Sequence, residues 1–158
     1  MSTRTFYPLD PPVTPVAKPK KKSGGRRHKA KGDGFERELA EYMNTILYPN
    51  SPHPIIHRTP LSGAFSVHKG VGSADLTGTP SLWVEAKRVE RLNFHDAMAQ
   101  ATRGSNACGN VDIPVVINRR NRQTLPESLV TIRLEDFMKL YESFLRERGY
   151  VKAPSDNQ

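Results

Sequence analysis

Apolar residues recur along this chain with two different periods, and the alternation between them outlines its elements. From Phe35 to about Leu47 the apolar positions Phe35, Leu39, Ala40, Met43, Ile46 and Leu47 follow a helical spacing. Asp33 stands where an N-cap belongs and Glu36 three residues on, the signature of a capping box. Pro49 and Pro52 mark the helix end. Three short extended pieces follow: Pro54 to Arg58, Ala74 to Leu76, and Ser81 to Lys87, with loop-like sequence from Leu61 to Gly72 and a turn signal at Thr77-Gly78-Thr79-Pro80. Asn93 to Thr102 predicts a helix with Phe94, Ala97, Met98 and Ala101 on one face. Ile113 to Ile117 reads as a buried strand and Leu129 to Leu134 as a further strand. Leu134 to about Arg148 predicts a closing amphipathic helix, with Phe137, Leu140, Tyr141, Phe144 and Leu145 turned inward. The order helix, three strands, helix, two strands, helix predicts an α/β sandwich with a mixed central sheet flanked by helices.

Charge separates one end of the chain from this pattern. Of 158 residues, the first 32 hold nine Lys or Arg against one acid, Asp10, while the remainder balances 15 basic with 15 acidic residues. The formal net charge of +8 therefore belongs to the N-terminal segment. Five prolines between Pro8 and Pro19, the Ser23-Gly24-Gly25 break and sparse apolar residues predict a disordered basic arm over residues 1–32. A single folded domain over 33–150 and a flexible tail over 151–158 complete the expected organisation. The arm suits either a solubilising or import-type role or an electrostatic grip on phosphates. No apolar run reaches bilayer-spanning length, and the first thirty residues lack the apolar stretch of a secretory signal, so a cytoplasmic protein without membrane contact is expected. The single cysteine, Cys108, forms no internal disulfide and no Cys-based zinc site.

The segment from Asp75 to Lys87 carries the candidate chemistry. Strand side chains alternate, so Glu85 and Lys87 share a face while Leu82, Val84 and Ala86 point to the other. A turn at Thr77–Pro80 would fold the Glu85 strand back beside Asp75, so that two carboxylates converge with an ammonium next to them. Converging carboxylates suit a hard divalent cation, Mg2+ or Mn2+, which neutralises charge on a phosphodiester and acidifies bound water. Lys87, kept protonated by its acidic neighbours, would stabilise charge developing on the phosphate. The plain alternative is an exposed Glu85–Lys87 salt bridge of no consequence, worth under ~1 kcal/mol.

The motifs in sequence resemble the PD-(D/E)XK nuclease superfamily, most closely its archaeal and phage Holliday junction resolvase branch. The resemblance covers about residues 31–120 and rests on Gly34-Phe35-Glu36-Arg37-Glu38-Leu39, on Arg58 with Ser62-Gly63 after it, on Asp75-Leu76-Thr77-Gly78, and on Glu85-Ala86-Lys87. It implies a restriction-endonuclease-like sandwich and a metal-dependent endonuclease acting on branched DNA. It further implies Asp75 and Glu85 as metal ligands with the Ala86 carbonyl as a third, Glu36 completing the acidic cluster, and Lys87 as the catalytic lysine. Arg37 and Arg58 would hold phosphates, with Ser62 as a further contact. Gln100, on the helix after Glu-x-Lys, stands either at a polar active-site position or on a solvated face. Lys69 in the loop, and Arg119 and Arg120 after the buried strand, either touch DNA or are simply solvated. Two departures stand out: Ala74 precedes Asp75 where the family often has proline, and the loop between Ser62 and Asp75 is longer than in compact resolvases. A homodimer is also implied, with Ile113–Ile117 or the C-terminal helix as its possible interface. A non-catalytic nucleic-acid-binding protein, and a same-fold nuclease with a restriction-like or mismatch target, are the alternatives.

Overall fold

A computed structural model describes residues 24–60, 73–109 and 112–151. Its elements are α1 (Gly24–Leu47), β1 (His57–Arg58), β2 (Leu76–Thr77), β3 (Leu82–Lys87), α2 (Phe94–Ala107), β4 (Ile113–Asn118), a 3-10 turn at Leu125–Glu127, β5 (Leu129–Thr131) and α3 (Leu134–Glu147). The order of helices and strands is the one the hydrophobic pattern predicts, and the class is mixed α/β. Among the described residues no helix is long and apolar enough to cross a membrane.

The strands form two small sheets instead of one. In the larger, β4 lies between β3, which runs parallel to it, and β5, which runs antiparallel. In the smaller, β1 and β2 pair antiparallel, with His57 opposite Thr77 and Arg58 opposite Leu76. Among the described residues a backbone bond joins the two sheets, from the Asp75 N–H to the Val84 carbonyl at 2.9 Å. The turn at Thr77–Pro80 thus does bring Asp75 beside β3. Gly78 makes that turn with φ of 78°, and a Cβ on it would stand 2.1 Å from the Ile55 carbonyl oxygen. Only glycine fits both the backbone angle and the approach.

Two apolar layers sandwich β3. Val84 and Ala86 face α1, packing with Phe35, Leu39, Ala40, Ile56 and Leu76. Trp83 faces α2 and packs with Ala97, Met98, Ala101 and Val116. Trp83 is therefore core. Gly104 of α2 is its counterpart, since a Cβ there would lie 2.5 Å from the indole. Asn44 locks the segment before β1 onto α1: its Nδ2 donates to the Ile56 carbonyl, and its Oδ1 accepts the Ile55 and Ile56 N–H groups.

Three expectations change. Helix α1 begins at Gly24, so residues 24–32 belong to a helix and not to a disordered arm. Arg26 to Lys31 carries good helix formers and no proline, and it extends a helix already nucleated by the packed turns beyond Phe35. Asp33 consequently sits inside the helix and is no N-cap. The expected disorder of residues 1–23 and of 152–158 lies outside the described residues.

The third change concerns α3. Phe137, Leu140, Tyr141 and Phe144, expected to face inward, are exposed, and Leu145 is half-buried. The one buried side chain of α3 is Asp136. Periodicity shows that a helix is one-sided, but not that the same chain covers the apolar side.

Replacing Gly78 with alanine should cost about 2 kcal/mol or more, because the new Cβ must push the Ile55 backbone aside. Urea denaturation of the Gly78→Ala variant checks this; a midpoint equal to wild type would contradict the packing described.

Candidate active site

The candidate site is built where β3 ends between its two helical neighbours. Period two puts Glu85 on the α2 side of the sheet, and Lys87 follows it on the same side. Lys87 Nζ donates to Glu85 Oε1 at 2.5 Å. Gln100, reaching down from α2, completes a triangle: its Nε2 donates to Glu85 Oε1 at 2.7 Å and its Oε1 accepts from Lys87 Nζ at 3.2 Å. Gln100 is thus a member of the site and not merely a solvated helix position.

Asp75 enters from the neighbouring sheet. Its Oδ2 accepts the Ala86 N–H at 2.8 Å, a bond that fixes its carboxylate against β3. Asp75 and Glu85 are 8% and 6% exposed, so neither carboxylate is freely hydrated. Burial pushes the Asp75 carboxyl up to about 7, and the nearby negative charge of Glu85 and then Glu36 adds to the shift. The Ala86 N–H and the Lys87 ammonium oppose it without cancelling it. Asp75 therefore lies close enough to Glu85 and Glu36 to feel the charge of both.

Glu36 comes from α1, where it is buried, and it is held by Arg58. Arg58 Nε donates to Glu36 Oε2 and Arg58 Nη2 to Asp33 Oδ1, both at 2.7 Å. Asp33 and Glu36, spaced three apart like a capping box, grip this guanidinium from one face of the helix instead. The Glu36 hydrogen bond, followed by the charges of Glu36 and Asp33, holds the Arg58 guanidinium further above its usual value. Arg58 is about a quarter exposed, leaving an edge open to solvent at the rim.

The remaining expected residues divide. Arg37 is exposed on α1, its Nε donating to the Asp33 carbonyl. Arg120 is exposed beyond β4. Arg119 is not the exposed phosphate contact that its cluster suggested. It is 5% exposed, pairs with Glu38 at 2.5 Å and stacks over the Phe35 ring at 4.9 Å. Its backbone N–H donates to the Lys87 carbonyl. Arg119 thus ties α1 to the ends of β3 and β4, a positioning role for which no signal distinguishes it from its exposed neighbours in sequence. Asn44 likewise went unmarked in the sequence, because a helix Asn has no pattern of its own. Ser62 and Lys69 lie outside the described residues.

The donor set fits a hard dication in kind: two buried carboxylates whose mutual repulsion a cation would relieve, beside the Ala86 backbone. In conformation the acids are occupied, Glu36 by Arg58 and Glu85 by Lys87 and Gln100. Among the described residues no group of three His, Cys, Asp or Glu side chains stands together as a metal ion would require. Comparison with protein-family models, with curated proteins and with solved structures finds no match to this chain.

A carboxyl whose folded value lies above its unfolded value of 3.8 binds its proton more tightly in the native state. The stability it contributes is full at low pH and is lost as pH rises towards about 7. The Asp75→Asn variant lacks this titration. Relative to wild type it should gain stability between pH 4 and 7, of the order of a few kcal/mol. Urea midpoints of the two proteins across that range test this; parallel curves would contradict the buried, repelled carboxyl.

Proposed function

We propose that this chain is a magnesium-dependent endonuclease of the PD-(D/E)XK type, with branched DNA as its substrate. The observation that carries the reading is the juxtaposition of Asp75, Glu85 and Lys87 at the end of β3, with Glu36 near enough to perturb Asp75. These residues come from three separate stretches of sequence. A chance acid-x-Lys strand has no need of a second buried carboxylate pinned to its own backbone.

Asp75, Glu85 and the Ala86 carbonyl would hold Mg2+, with Mn2+ as a substitute and Glu36 as a further acidic member. A dication bound there supplies countercharge to the scissile phosphate and acidifies water. The chain's own groups have definable parts. The Ala86 N–H orients Asp75, and Gln100 spans Glu85 and Lys87 so that neither rotates away. Lys87 presents its ammonium to the negative charge that grows on the phosphate oxygens. Arg58, anchored by two acids and open at one edge, suits a flanking phosphate, and Arg37 lies one residue from Glu36 on the exposed side of α1. The basic N-terminal segment supplies long-range attraction to the DNA backbone. Branched DNA as the target rests on the motif resemblance.

The engagement of Glu36 with Arg58 and of Glu85 with Lys87 favours a second reading, a nucleic-acid-binding protein that does not cleave. A cleavage panel of four-way, flap, mismatched and linear DNA, with and without Mg2+ at one salt concentration, separates the two. The proposal expects Mg2+-dependent cutting of the four-way junction. Asp75→Asn and Glu85→Gln should each lower the rate by about 10³-fold or more while leaving DNA affinity within a few-fold. Tight binding with no metal-stimulated cutting on any substrate establishes the second reading instead. Preferential cutting of mismatched or linear DNA keeps the nuclease and replaces the target.

A further inference from the structure

Helix α3 carries an aromatic stripe on the side away from its polar residues. Leu134, Phe137, Met138, Leu140, Tyr141 and Phe144 are 42 to 74% exposed. The rings are ordered among themselves: Phe137 and Tyr141 stack at 5.6 Å, and Tyr141 and Phe144 at 6.4 Å. Beside the stripe lies an apolar groove of about 350 Å³, which Leu140 shares and which Val130 of β5 and Tyr42 and Met43 of α1 extend. Contiguous apolar surface of this extent is seldom left to water and marks a contact site. The sequence ahead of Gly24 carries matching chemistry. Pro8, Pro11, Pro12, Pro15 and Pro19 crowd into twelve residues. Such crowding favours the polyproline II helix, which has three residues per turn. On that period Phe6, Leu9, Pro12 and Pro15 fall on one face as an unbroken apolar strip that ends at Lys18, while Asp10 falls on another.

We propose that this strip, Phe6 to Pro15, docks in polyproline II form on the α3 stripe and its groove within the same chain. Proline-rich segments in this conformation dock on aromatic-lined grooves, because the extended helix is set before it binds and loses little entropy there. The spacings agree. Three polyproline II residues advance about 9 Å, and the seven helical steps from Phe137 to Phe144 advance about 10 Å. A strip laid along α3 therefore seats neighbouring members on these two rings. The tether is also long enough. Helix α1 carries the chain about 27 Å from Gly24 to Tyr42, and the nine steps from Pro15 to Gly24 span up to about 30 Å. Along that path Lys18, Lys20, Lys21 and Lys22 pass the acid Glu41, exposed on α1 one residue before Tyr42. A segment tethered this way is present at millimolar effective concentration, so it meets the stripe ahead of any free partner at micromolar concentration.

Paramagnetic NMR on the full chain tests the docking. A nitroxide is attached at Thr14→Cys, which lies off the strip, in a Cys108→Ser background that removes the one native thiol. The methyl signals of Met43, Val130, Met138 and Leu140 should lose most of their intensity. The loss should disappear in Leu9→Asp/Pro12→Asp, a change outside the described domain, and in Phe137→Asp/Phe144→Asp. A mixed sample, with the nitroxide on one set of chains and the isotope label on the other, should show no loss, because the contact lies within one chain. Full intensity in the singly labelled chain, a loss that survives the aspartates, or a loss carried over into the mixed sample overturns the proposal. The last of these, with a sedimenting mass of two chains, assigns the stripe to a second copy instead. The docking does not rest on the nuclease reading, since neither Asp75 nor DNA cleavage enters the measurement.

Discussion

The structure turns on the cost of placing carboxylates beside one another away from water. Asp75 and Glu85 are both nearly sealed, and each is held by a bond it cannot easily exchange for solvent: Asp75 by the Ala86 N–H, Glu85 by Lys87 and Gln100. Those bonds offset the penalty only in part: burial first, and the neighbouring charge of Glu85 second, still displace the Asp75 carboxyl upward to about 7. A fold seeking stability alone would replace one of these acids with an apolar residue of similar size. Two such acids side by side are what the proposed cation site requires, and they stand where the two short sheets meet at the Asp75–Val84 backbone bond.

Around that centre, arginines link the layers. Arg58 joins β1 to α1 through Asp33 and Glu36, and Arg119 joins the end of β4 to α1 through Glu38 and the Phe35 ring. The two differ in accessibility: Arg119 is sealed, whereas Arg58 keeps an open edge. Planar guanidinium groups suit both tasks, since they bond two acids at once or stack on a ring while retaining further donors. Arg58 therefore ties Glu36 to the solvent-facing rim.

Local periodicity made much of this legible. Alternation along Leu82–Lys87 placed Glu85 and Lys87 together, and the Gly78 turn signal brought Asp75 back beside them. What stayed hidden are features decided by tertiary partners. Asp33 and Glu36 carry the spacing of a cap, yet the upstream residues continue the helix and both acids serve Arg58. Arg119 and Arg120 are adjacent and chemically alike, and only the approach of Glu38 and Phe35 separates the buried one from the exposed one. The single mixed sheet expected from the strand order divides into two, because β1 and β2 are too short to extend the ladder beyond each other. In α3 the amphipathic pattern is plain, but a pattern cannot name what covers it.

The central claim is that Asp75 and its acidic neighbours converge on a place short of positive charge. The most direct measurement is a titration of the Asp75 side-chain carboxyl by carbon-13 NMR on the full chain, without and with Mg2+. The account predicts a midpoint near 7 without the ion and a marked downward displacement when Mg2+ is added. An ordinary carboxylate midpoint, unmoved by Mg2+, would contradict it.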